Sequence, residues 1–346
     1  MTPLRWLGFV LGAALLAFAI ERRRKLFRGD VVLLGGLAVL VMVVAATGWS
    51  GSILTAFGFH RGADRHILGV VVFACALLLV LTAAALARTS TLSRSLGTVL
   101  EALAAETLRQ EGLTERFAGH IAIVIPAYEE ADNLGPVLSA IPAEVAGLPT
   151  AVLLVDDGSR DRTAAVARAN GAIVARHIVN RGQGAAMRTG YSIIARTEAP
   201  ITVAMDSDGQ HRPDEMERLV RPLLDGTVDL VNGSRTLPGA SAAHIGVMRD
   251  VGLLFFSRLI SVLTRTRITD CSNGYRAMRT AILPRLDLRQ NQFHNSEFLI
   301  EAMKAGAVST EVPVTVDHRL SGRSKKPDWL RYGWGFTLAI VRTWLR

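Results

Sequence analysis

The sequence predicts an α/β domain with a mostly parallel sheet, preceded by an all-α transmembrane domain. From His120 onward, apolar strand-like runs alternate with helical segments, the pattern of a parallel sheet that is covered by helices on both faces. Before that point, three long apolar runs lie in the first 88 residues, and such runs are typical of membrane-spanning helices. Three of the strand-like runs also end in polar, mostly acidic residues.

The composition restricts the classes of partner. The chain has 346 residues, a formal net charge of +9 and 50% hydrophobic residues. This balance suits nucleic acid, an anionic membrane surface or a phosphorylated substrate. No nucleic-acid recognition motif is present, and the basic residues cluster beside the apolar runs and near the C-terminus. We therefore expect a membrane and a phosphorylated substrate, and no nucleic acid. Cys75 lies in an apolar run, and Cys271 lies far along the chain in a polar stretch. Two such cysteines predict neither a disulfide framework nor a zinc site.

The first domain, residues 1–88, is predicted to span the membrane three times. The apolar runs are Trp6–Ile20, Val31–Thr47 and Ile67–Ala87, against the roughly 20 residues that a span requires. Five basic residues lie in the loop 21–30, so the positive-inside rule places that loop and the polar part of the chain in the cytoplasm, with the N-terminus outside. A cleaved signal peptide is the alternative for the first run, but the basic cluster follows that run instead of preceding it.

Two helical segments flank the α/β domain, which we assign to residues 120–326. Residues 89–119 form a connector with apolar residues at helical spacing, and it lies either along the membrane or against the α/β domain. Residues 327–346 combine three tryptophans with arginines, which predicts an amphipathic helix at the membrane interface.

Four strands are predicted in the first half of the α/β domain: Ile121–Tyr128, Ala151–Ser159, Gly171–His177 and Pro200–Asp208. Ligands of parallel sheets bind beyond the carboxyl ends of the strands. The polar residues at those ends are Tyr128–Glu130, Asp156–Asp157 and Asp206–Asp208. They are therefore the first candidates for a binding site.

The pair Asp206 and Asp208 lies in the stretch VAMDSDGQHRPDE. Two carboxylates this close repel each other unless a cation lies between them. Mg²⁺ and Mn²⁺ prefer such oxygen ligands, and Gln210 offers another oxygen. A solvated turn is the alternative for the pair taken alone. Its position at a strand end beside other acids favours a metal that bridges to phosphate and neutralises a leaving group.

The other strand ends have two interpretations each. Tyr128 can stack on a base or a sugar and Glu130 can accept hydrogen bonds, or both lie in a plain loop. Asp156 and Asp157 can bind a base or ribose, or form an Asx turn. The segment Asn180–Gly190 lacks the third glycine of a dinucleotide fingerprint. Its glycines permit either a sugar phosphate or tight packing close to the backbone.

Six motifs occur in a fixed order: Pro126–Glu130, Asp156–Ser159, Asn180–Gly184, Asp206–His211, Asn232–Arg235 and Asn273–Arg276. The set resembles the family 2 glycosyltransferases, and most closely the dolichyl-phosphate mannose synthase-like branch. The resemblance covers roughly two-thirds of the chain. It implies the GT-A fold, a Rossmann-like, mostly parallel sheet between helices, and a donor that is a GDP- or UDP-hexose.

The resemblance also implies site residues. The donor is expected at Pro126, Tyr128, Glu130, Asp156, Asp157 and Gly184. The divalent cation, Mg²⁺ or Mn²⁺, is expected at Asp206, Asp208 and Gln210. The stretch HRLSGRSKK matches the branch's Arg-x-x-Gly-x-Ser-Lys element near the acceptor phosphate, and supplies Arg319, Ser324 and Lys325.

Charge chemistry supports a phosphate clamp in that stretch, because arginine binds phosphate bidentately and lysine adds a point charge. A basic surface run is the alternative. Arg235 and Arg276 are further candidates for phosphate contact. Asp270 is an acid that the branch carries at this position. It orients the acceptor, acts as a base or has a structural role.

Two residues depart from the branch pattern. Glu129 replaces the usual asparagine, and Arg212 replaces a frequent proline. The Gln-x-x-Arg-Trp signature of processive polysaccharide synthases is absent, which argues against a polymerase.

The predicted reaction is the inverting transfer of one sugar, mannose first and glucose next, to a membrane polyprenyl phosphate. Its phosphate attacks the anomeric carbon opposite the leaving diphosphate, and Asp206 and Asp208 serve catalysis through the metal. Another lipid or glycan acceptor, or a non-catalytic membrane scaffold with this fold, is the alternative. The sequence leaves a homo-oligomer open.

Overall fold

The computed structural model describes residues 3–21, 35–36, 38–39, 42, 64–242, 247–318 and 329–346. The helices are α1 (Pro3–Glu21), α2 (Asp64–Gln110), α3 (Ala131–Ser139), α4 (Thr163–Ala169), α5 (Gln183–Ile194), α6 (Met216–Leu224), α7 (Val247–Thr264), α8 (His294–Lys304) and α9 (Trp329–Trp344). The strands are β1 (Ile121–Ala127), β2 (Glu144–Val145), β3 (Leu148–Asp156), β4 (Ile173–Arg176), β5 (Ile201–Ala204), β6 (Leu230–Ser234), β7 (Ser241–Ala242), β8 (Arg276–Arg279), β9 (Ser309–Pro313) and β10 (Thr315–Val316).

The chain divides into two compact units, Met1–Leu96 with Leu345–Arg346, and Gly97–Trp344. Among the described residues, no helix combines the length and the apolar character that a membrane crossing requires. Helices α1 and α2 contain the first and third apolar runs, and the transmembrane domain stays a prediction. Most of the second run lies outside the described residues.

The larger unit contains the predicted mixed α/β sheet, and the prediction of mostly parallel strands is confirmed. The main sheet has eight strands in the order β2-β3-β1-β5-β8-β6-β9, and β4 also pairs with β3. Strands β4, β3, β1 and β5 are parallel to one another. Strand β8 runs antiparallel between β5 and β6, and the short β2 is antiparallel to β3.

This topology collects the motifs at one edge of the sheet. Ala127 pairs with Asp156 and Val124 with Ala204, so the chain leaves β1, β3 and β5 at nearly the same level. Because β8 is antiparallel to β5, its first residue lies at that edge and not at the opposite one. The segment before β8 therefore meets the carboxyl ends of β5 and β6.

Two apolar cores cover the two faces of the sheet. Along β1, Ile123 and Ile125 face one core and Ala122 and Val124 face the other, as the alternation of side chains in a strand requires. Helices α3, α4 and α6 cover the first face, and α5 and α8 cover the second. Burial on both faces explains why β1 is a continuous apolar run.

The two flanking helical segments both contribute to the second core. Ala105 and Leu108 at the end of α2 are buried in it, so this part of the connector packs against the α/β domain. In α9, Phe336 and Ile340 are buried, and the Phe336 ring lies 4.6 Å from that of Phe256 in α7. Part of the apolar surface of this helix therefore packs within the protein, while Val341 and Trp344 are exposed, and its place at a membrane interface stays a prediction.

We predict that Gly190→Ala lowers the free energy of unfolding by about 1–3 kcal/mol, the usual cost of overpacking a core. A Cβ atom at Gly190 in α5 would lie 2.4 Å from Cγ1 of Val124, whose β-branched side chain has few alternative rotamers. Gly252→Ala is the matched control, since Gly252 also lies inside a helix but no atom is within 4 Å of its Cβ position. This control should raise stability by about 0.5–1 kcal/mol through helix propensity. Urea denaturation measures both, and equal effects would contradict the packing explanation.

Candidate active site

The Asp-x-Asp loop begins directly after β5. The Asp206 side chain is 30% exposed. Asp208 is buried, and its Oδ1 accepts a hydrogen bond from the backbone N–H of Gln210 at 3.1 Å. Asp206 lies against Gly274, where a Cβ atom would stand 3.3 Å from both carboxylate oxygens. The loop thus presents the partly exposed carboxylate of Asp206 next to Gly274, which has no side chain.

His211 holds this loop in place. The backbone N–H of Asp206 donates to His211 Nδ1 at 3.1 Å, so the proton of the neutral ring is on Nε2. That nitrogen donates to Asn273 Oδ1 at 3.1 Å. The ring stacks on Tyr275, with centroids 4.9 Å apart, and Asn273 donates to the Gly233 carbonyl at 2.7 Å. One imidazole thus connects the loops of β5, β6 and β8.

Gln183 is a site residue that the sequence analysis missed. It is the first residue of α5, and its Nε2 donates to Asp206 Oδ1 at 2.6 Å. Its position inside the Asn180–Gly184 motif was the only signal in the sequence. At the neighbouring Gly184, a Cβ atom would lie 2.2 Å from the Gln290 carbonyl oxygen. This close approach favours tight packing as the reason for that glycine.

The donor atoms of the loop fit a divalent cation. Asp206 and Asp208 supply hard carboxylate oxygens. Gln210 donates its amide Nε2–H to the Asp317 carbonyl at 2.9 Å, so Oε1 is the ligand atom that its side chain offers. Within the described part of the chain, no group of three or more His, Cys, Asp or Glu residues forms a closed site. Mg²⁺ is typically held by one or two carboxylates together with substrate phosphates, and the pair matches such an open site.

The predicted donor-binding residues on the β1 side divide between the strand and the loop after it. Pro126 is buried within β1. Tyr128 is partly exposed, and its pKa is raised by desolvation and then by the charge and hydrogen bond of Glu129. Glu130 is the N-cap residue directly before α3, and its backbone N–H donates to the Thr163 hydroxyl. Donor binding by these three residues stays a prediction.

Glu129 has a φ of +54°. This is the left-handed region, which asparagine tolerates better than most residues. The left-handed backbone at this position is therefore a physical reason for the asparagine that the branch usually has there.

Asp156 and Asp157 are directed into the protein. Asp156 is fully buried and accepts from the Ser159 N–H at 2.9 Å, as the turn interpretation predicts. Its Oδ2 is 3.1 Å from Arg176 Nε, without the alignment of a hydrogen bond. Asp157 contacts the His177 ring at 2.7 Å and accepts from the Gly182 N–H at 2.7 Å. Both carboxylates fix loops, and Asp157 positions the start of α5.

Asp270 forms a buried ion pair with Arg235. Arg235 Nε lies 2.6 Å from Asp270 Oδ2, and Nη2 lies 2.7 Å from Oδ1. Burial alone would raise the pKa of Asp270, but the hydrogen bonds and charge of Arg235 outweigh it and lower that pKa below its ordinary value of 3.8. A carboxyl group with a lowered pKa is a weak base at neutral pH. The structure therefore favours a structural or orienting role over a basic one.

Arg276 is 1% exposed, and its guanidinium donates to the carbonyls of Asn273 and Asn295. Burial lowers its pKa, and the charge of Asp206 is among those that oppose this lowering. The predicted contact between Arg276 and a phosphate conflicts with this burial. The other predicted acceptor residues, Arg319, Ser324 and Lys325, lie outside the described residues.

The fold and the site define a class, an α/β protein with an Asp-x-Asp pair at the carboxyl edge of its sheet. Within that class, the chain belongs to glycosyl transferase family 2, whose profile matches residues 122–286. The polyprenol monophosphomannose synthase of Mycolicibacterium smegmatis is 32% identical over 232 residues, covering 62% of this chain and 84% of that protein. The dolichyl-phosphate hexose transferase of Haloferax volcanii is 29% identical over 213 residues, covering 62% of this chain and 89% of that protein.

A solved structure shows the same fold. It is the glucosyl-3-phosphoglycerate synthase of Mycobacterium tuberculosis in complex with Mn²⁺ and uridine-diphosphate-glucose. The match has a TM-score of 0.53 and 23% identity, and it covers 67% of this chain and 82% of the other.

We predict that Gln183→Ala weakens Mn²⁺ binding by about tenfold, the lower end for the loss of a partner that orients a metal ligand. The variant removes the hydrogen bond to Asp206 but keeps both carboxylates. Gln110→Ala is the matched control, because Gln110 also donates to a carboxylate, that of Glu106, on the connector helix. Titration calorimetry with Mn²⁺ and a nucleoside diphosphate measures the affinity. Equal affinity in the wild type and the Gln183 variant would contradict the orienting role.

We predict that Asp270→Asn lowers the free energy of unfolding at pH 7 by about 3 kcal/mol, because it leaves Arg235 without its buried counter-ion. The pairing lowers the folded-state pKa, so its stabilisation is complete above about pH 3.8 and is lost as pH falls through the folded value. The difference between wild type and variant should therefore shrink in acid. Asp287→Asn is the control, since its pair with Arg289 is exposed and should contribute less than about 1 kcal/mol. Equal losses in the two variants would overturn this prediction.

Proposed function

We propose that the protein transfers a single sugar, with inversion, from a nucleotide diphosphate sugar to a polyprenyl phosphate. The observation that carries this proposal is the pair Asp206 and Asp208 at the carboxyl end of β5, oriented by Gln183 and His211. The relatives support the acceptor class, since their names specify a polyprenol or dolichyl phosphate product or substrate. One of them names mannose and the other names only hexose. Mannose is our first choice and glucose our second.

The reaction requires positioning and neutralisation of charge more than proton transfer. The acceptor phosphate is mostly dianionic above its second pKa of about 6, so it is already a nucleophile. A bound Mg²⁺ or Mn²⁺ supplies neutralisation of the leaving diphosphate. Asp270 then serves through Arg235, which it holds rigidly beside the end of β6. Fixed charges of this kind stabilise a transition state without reorganisation.

A lipid acceptor requires a surface that meets the membrane, and α7 offers one. Its exposed apolar side chains are Val251, Leu254, Phe255 and Val262. They recur at helical spacing. Exposed Arg258 lies among them on the same helix, and exposed Arg265 and Arg267 follow the end of that helix. This combination is typical of a helix that lies in the headgroup region of an anionic bilayer. We propose that the domain works at the cytoplasmic face of the cell membrane.

Two other functions compete with this proposal. A transferase for another lipid or glycan would share the Asp-x-Asp loop but transfer sugar without polyprenyl phosphate. A non-catalytic scaffold would bind without transfer. A neutral hydroxyl acceptor needs a base, and the lowered pKa of Asp270 speaks against that residue in this role.

The decisive experiment incubates the full-length protein with polyprenyl phosphate and a panel of labelled nucleotide sugars, with Mg²⁺ or Mn²⁺. We expect label in the lipid fraction from one sugar. Asp206→Asn and Asp208→Asn should each reduce the rate at least about a hundredfold through loss of a metal ligand. Asp214→Asn is the matched control, because Asp214 is an acid a few residues further along, outside the Asp-x-Asp pair, and it should leave the rate unchanged.

Three results would count against the proposal. Full activity of the Asp206 and Asp208 variants in excess chelator would remove the metal from the reaction. Transfer to water or a soluble glycan alone would favour a transferase for another acceptor. Nucleotide-sugar binding with no transfer to any acceptor would favour the scaffold.

A further inference from the structure

A carboxylate of the connector helix meets two arginines from the region of α5. Glu101 in α2 places its Oε1 3.3 Å from Arg181 Nη2 and 3.6 Å from Arg188 Nε. The three side chains are only 14–19% exposed. Arg181 also donates to the Gly97 carbonyl at 3.3 Å, one turn earlier in the same helix. Charges this far from water need partners, and Glu101 is a carboxylate that both arginines share.

Arg181 lies in the loop that leads into α5. Its backbone N–H donates to Asp157 Oδ1 at 3.0 Å, and the N–H of Gly182 donates to Oδ2 at 2.7 Å. Gln183 follows directly, and its side chain donates to Asp206. Two residues extend at most about 7 Å, so a shift of Arg181 is transmitted to Gln183 over a short length of chain.

Arg188 holds the other side of the same loop. Its Nη1 donates to the Gln290 carbonyl at 2.8 Å, and its Nη2 donates to Asn291 Oδ1 at 2.7 Å. The Asn291 carbonyl in turn accepts from the Gly184 N–H at 3.0 Å. Burial lowers the pKa of Arg188, and the charge of Glu101 opposes that lowering. Glu101 therefore stabilises the charge that keeps this segment against the start of α5.

We infer that Glu101 is a positioning residue, which fixes the start of α5 through Arg181 and Arg188. Because the start of α5 carries Gln183, Glu101 also determines how firmly Asp206 is held for a cation. This role rests on the proposed function. Glu101 acts through the loop and not on the reacting atoms. The connector helix thereby contributes a residue on which the geometry of the Asp-x-Asp site depends.

The first test measures the loop without metal or substrate. Glu101→Gln keeps the shape of the side chain and removes its charge. Hydrogen exchange at the backbone N–H groups of residues 181–184 in the full-length protein should become at least about fivefold faster, the upper end for a fully exposed ion pair. Glu106→Gln is the matched control, because Glu106 lies on the same helix and pairs with Arg109 instead. Equal exchange in the wild type and Glu101→Gln, or equal acceleration in both variants, would overturn the inference.

Gly97→Ala tests the same contact and keeps every charge. A Cβ atom at Gly97 would lie 2.2 Å from Arg181 Nη2, so the guanidinium has to move from its place between Gly97 and Glu101. Alanine favours a helix over glycine, so the helix itself should not be weakened. We expect faster exchange in the same loop. Exchange at the wild-type rate would contradict the coupling.

The second test asks whether Glu101 acts through Gln183. Titration calorimetry with Mn²⁺ and a nucleoside diphosphate should show about fivefold weaker Mn²⁺ binding for Glu101→Gln. In a Gln183→Ala background the same substitution should change the affinity less than about twofold, because the hydrogen bond through which it acts is already absent. The same loss in both backgrounds would indicate a structural role only and would overturn the inference, as would an unchanged affinity in the wild-type background.

Transfer kinetics separate this inference from the proposed function. Glu101→Gln should raise the KM for the nucleotide sugar by about fivefold and change the KM for polyprenyl phosphate less than about twofold, because a bound cation shares the diphosphate of the donor. A larger effect on the acceptor KM than on the donor KM would contradict the inference. If the wild type transfers no sugar to polyprenyl phosphate, the proposed function fails, whereas exchange and calorimetry still decide whether Glu101 holds the loop.

Discussion

The site depends on holding two carboxylates at the end of one strand despite their mutual repulsion. Like charges this close disfavour the doubly ionised state unless positive charge or hydrogen-bond donors surround it. The structure provides both. The Gln183 side chain donates to Asp206, and the backbone N–H of Gln210 donates to Asp208. The buried guanidinium of Arg276 also lies close enough to Asp206 to interact electrostatically. The pair is thus kept in place before any cation arrives.

The antiparallel strand β8 makes this arrangement geometrically accessible. A wholly parallel sheet would direct the residues before β8 to the opposite edge. Instead, Asn273 and Tyr275 reach the Asp-x-Asp loop from the side and hold His211 between an amide oxygen and a stacked ring. The neutral imidazole is suited to this position, because a second fixed cation beside Asp206 would compete with the metal that the pair is expected to bind.

Much of the fold could be predicted from the sequence, because local physics determines it. The four strands from β1 to β5 that pair in parallel were predicted from apolar runs, and burial on both faces is what produces such runs. Strand β8 was not predicted. It is only four residues long, and its first residue is a buried arginine. Its place between β5 and β6 depends on pairing across the sheet, which leaves no local pattern.

The motifs of the site could be predicted from the sequence, but the direction of each side chain could not. Asp157 and Arg276 belong to motifs that resemble a ligand-binding set, and both are directed into the protein. A carboxylate that anchors a loop and one that binds a ligand look alike in sequence. Only the tertiary contacts separate them, and for Asp157 those contacts come from segments 20 or more residues away. Gln183 was missed for the same reason.

The two departures from the family pattern illustrate two kinds of sequence change. Glu129 keeps a left-handed backbone that asparagine adopts more readily, so this change costs conformational energy within one residue. Arg212 instead gains a partner more than 100 residues away. The first change affects only its own loop, because its strain is local. The second connects the loop of the carboxylate pair to Asp317, which follows β10.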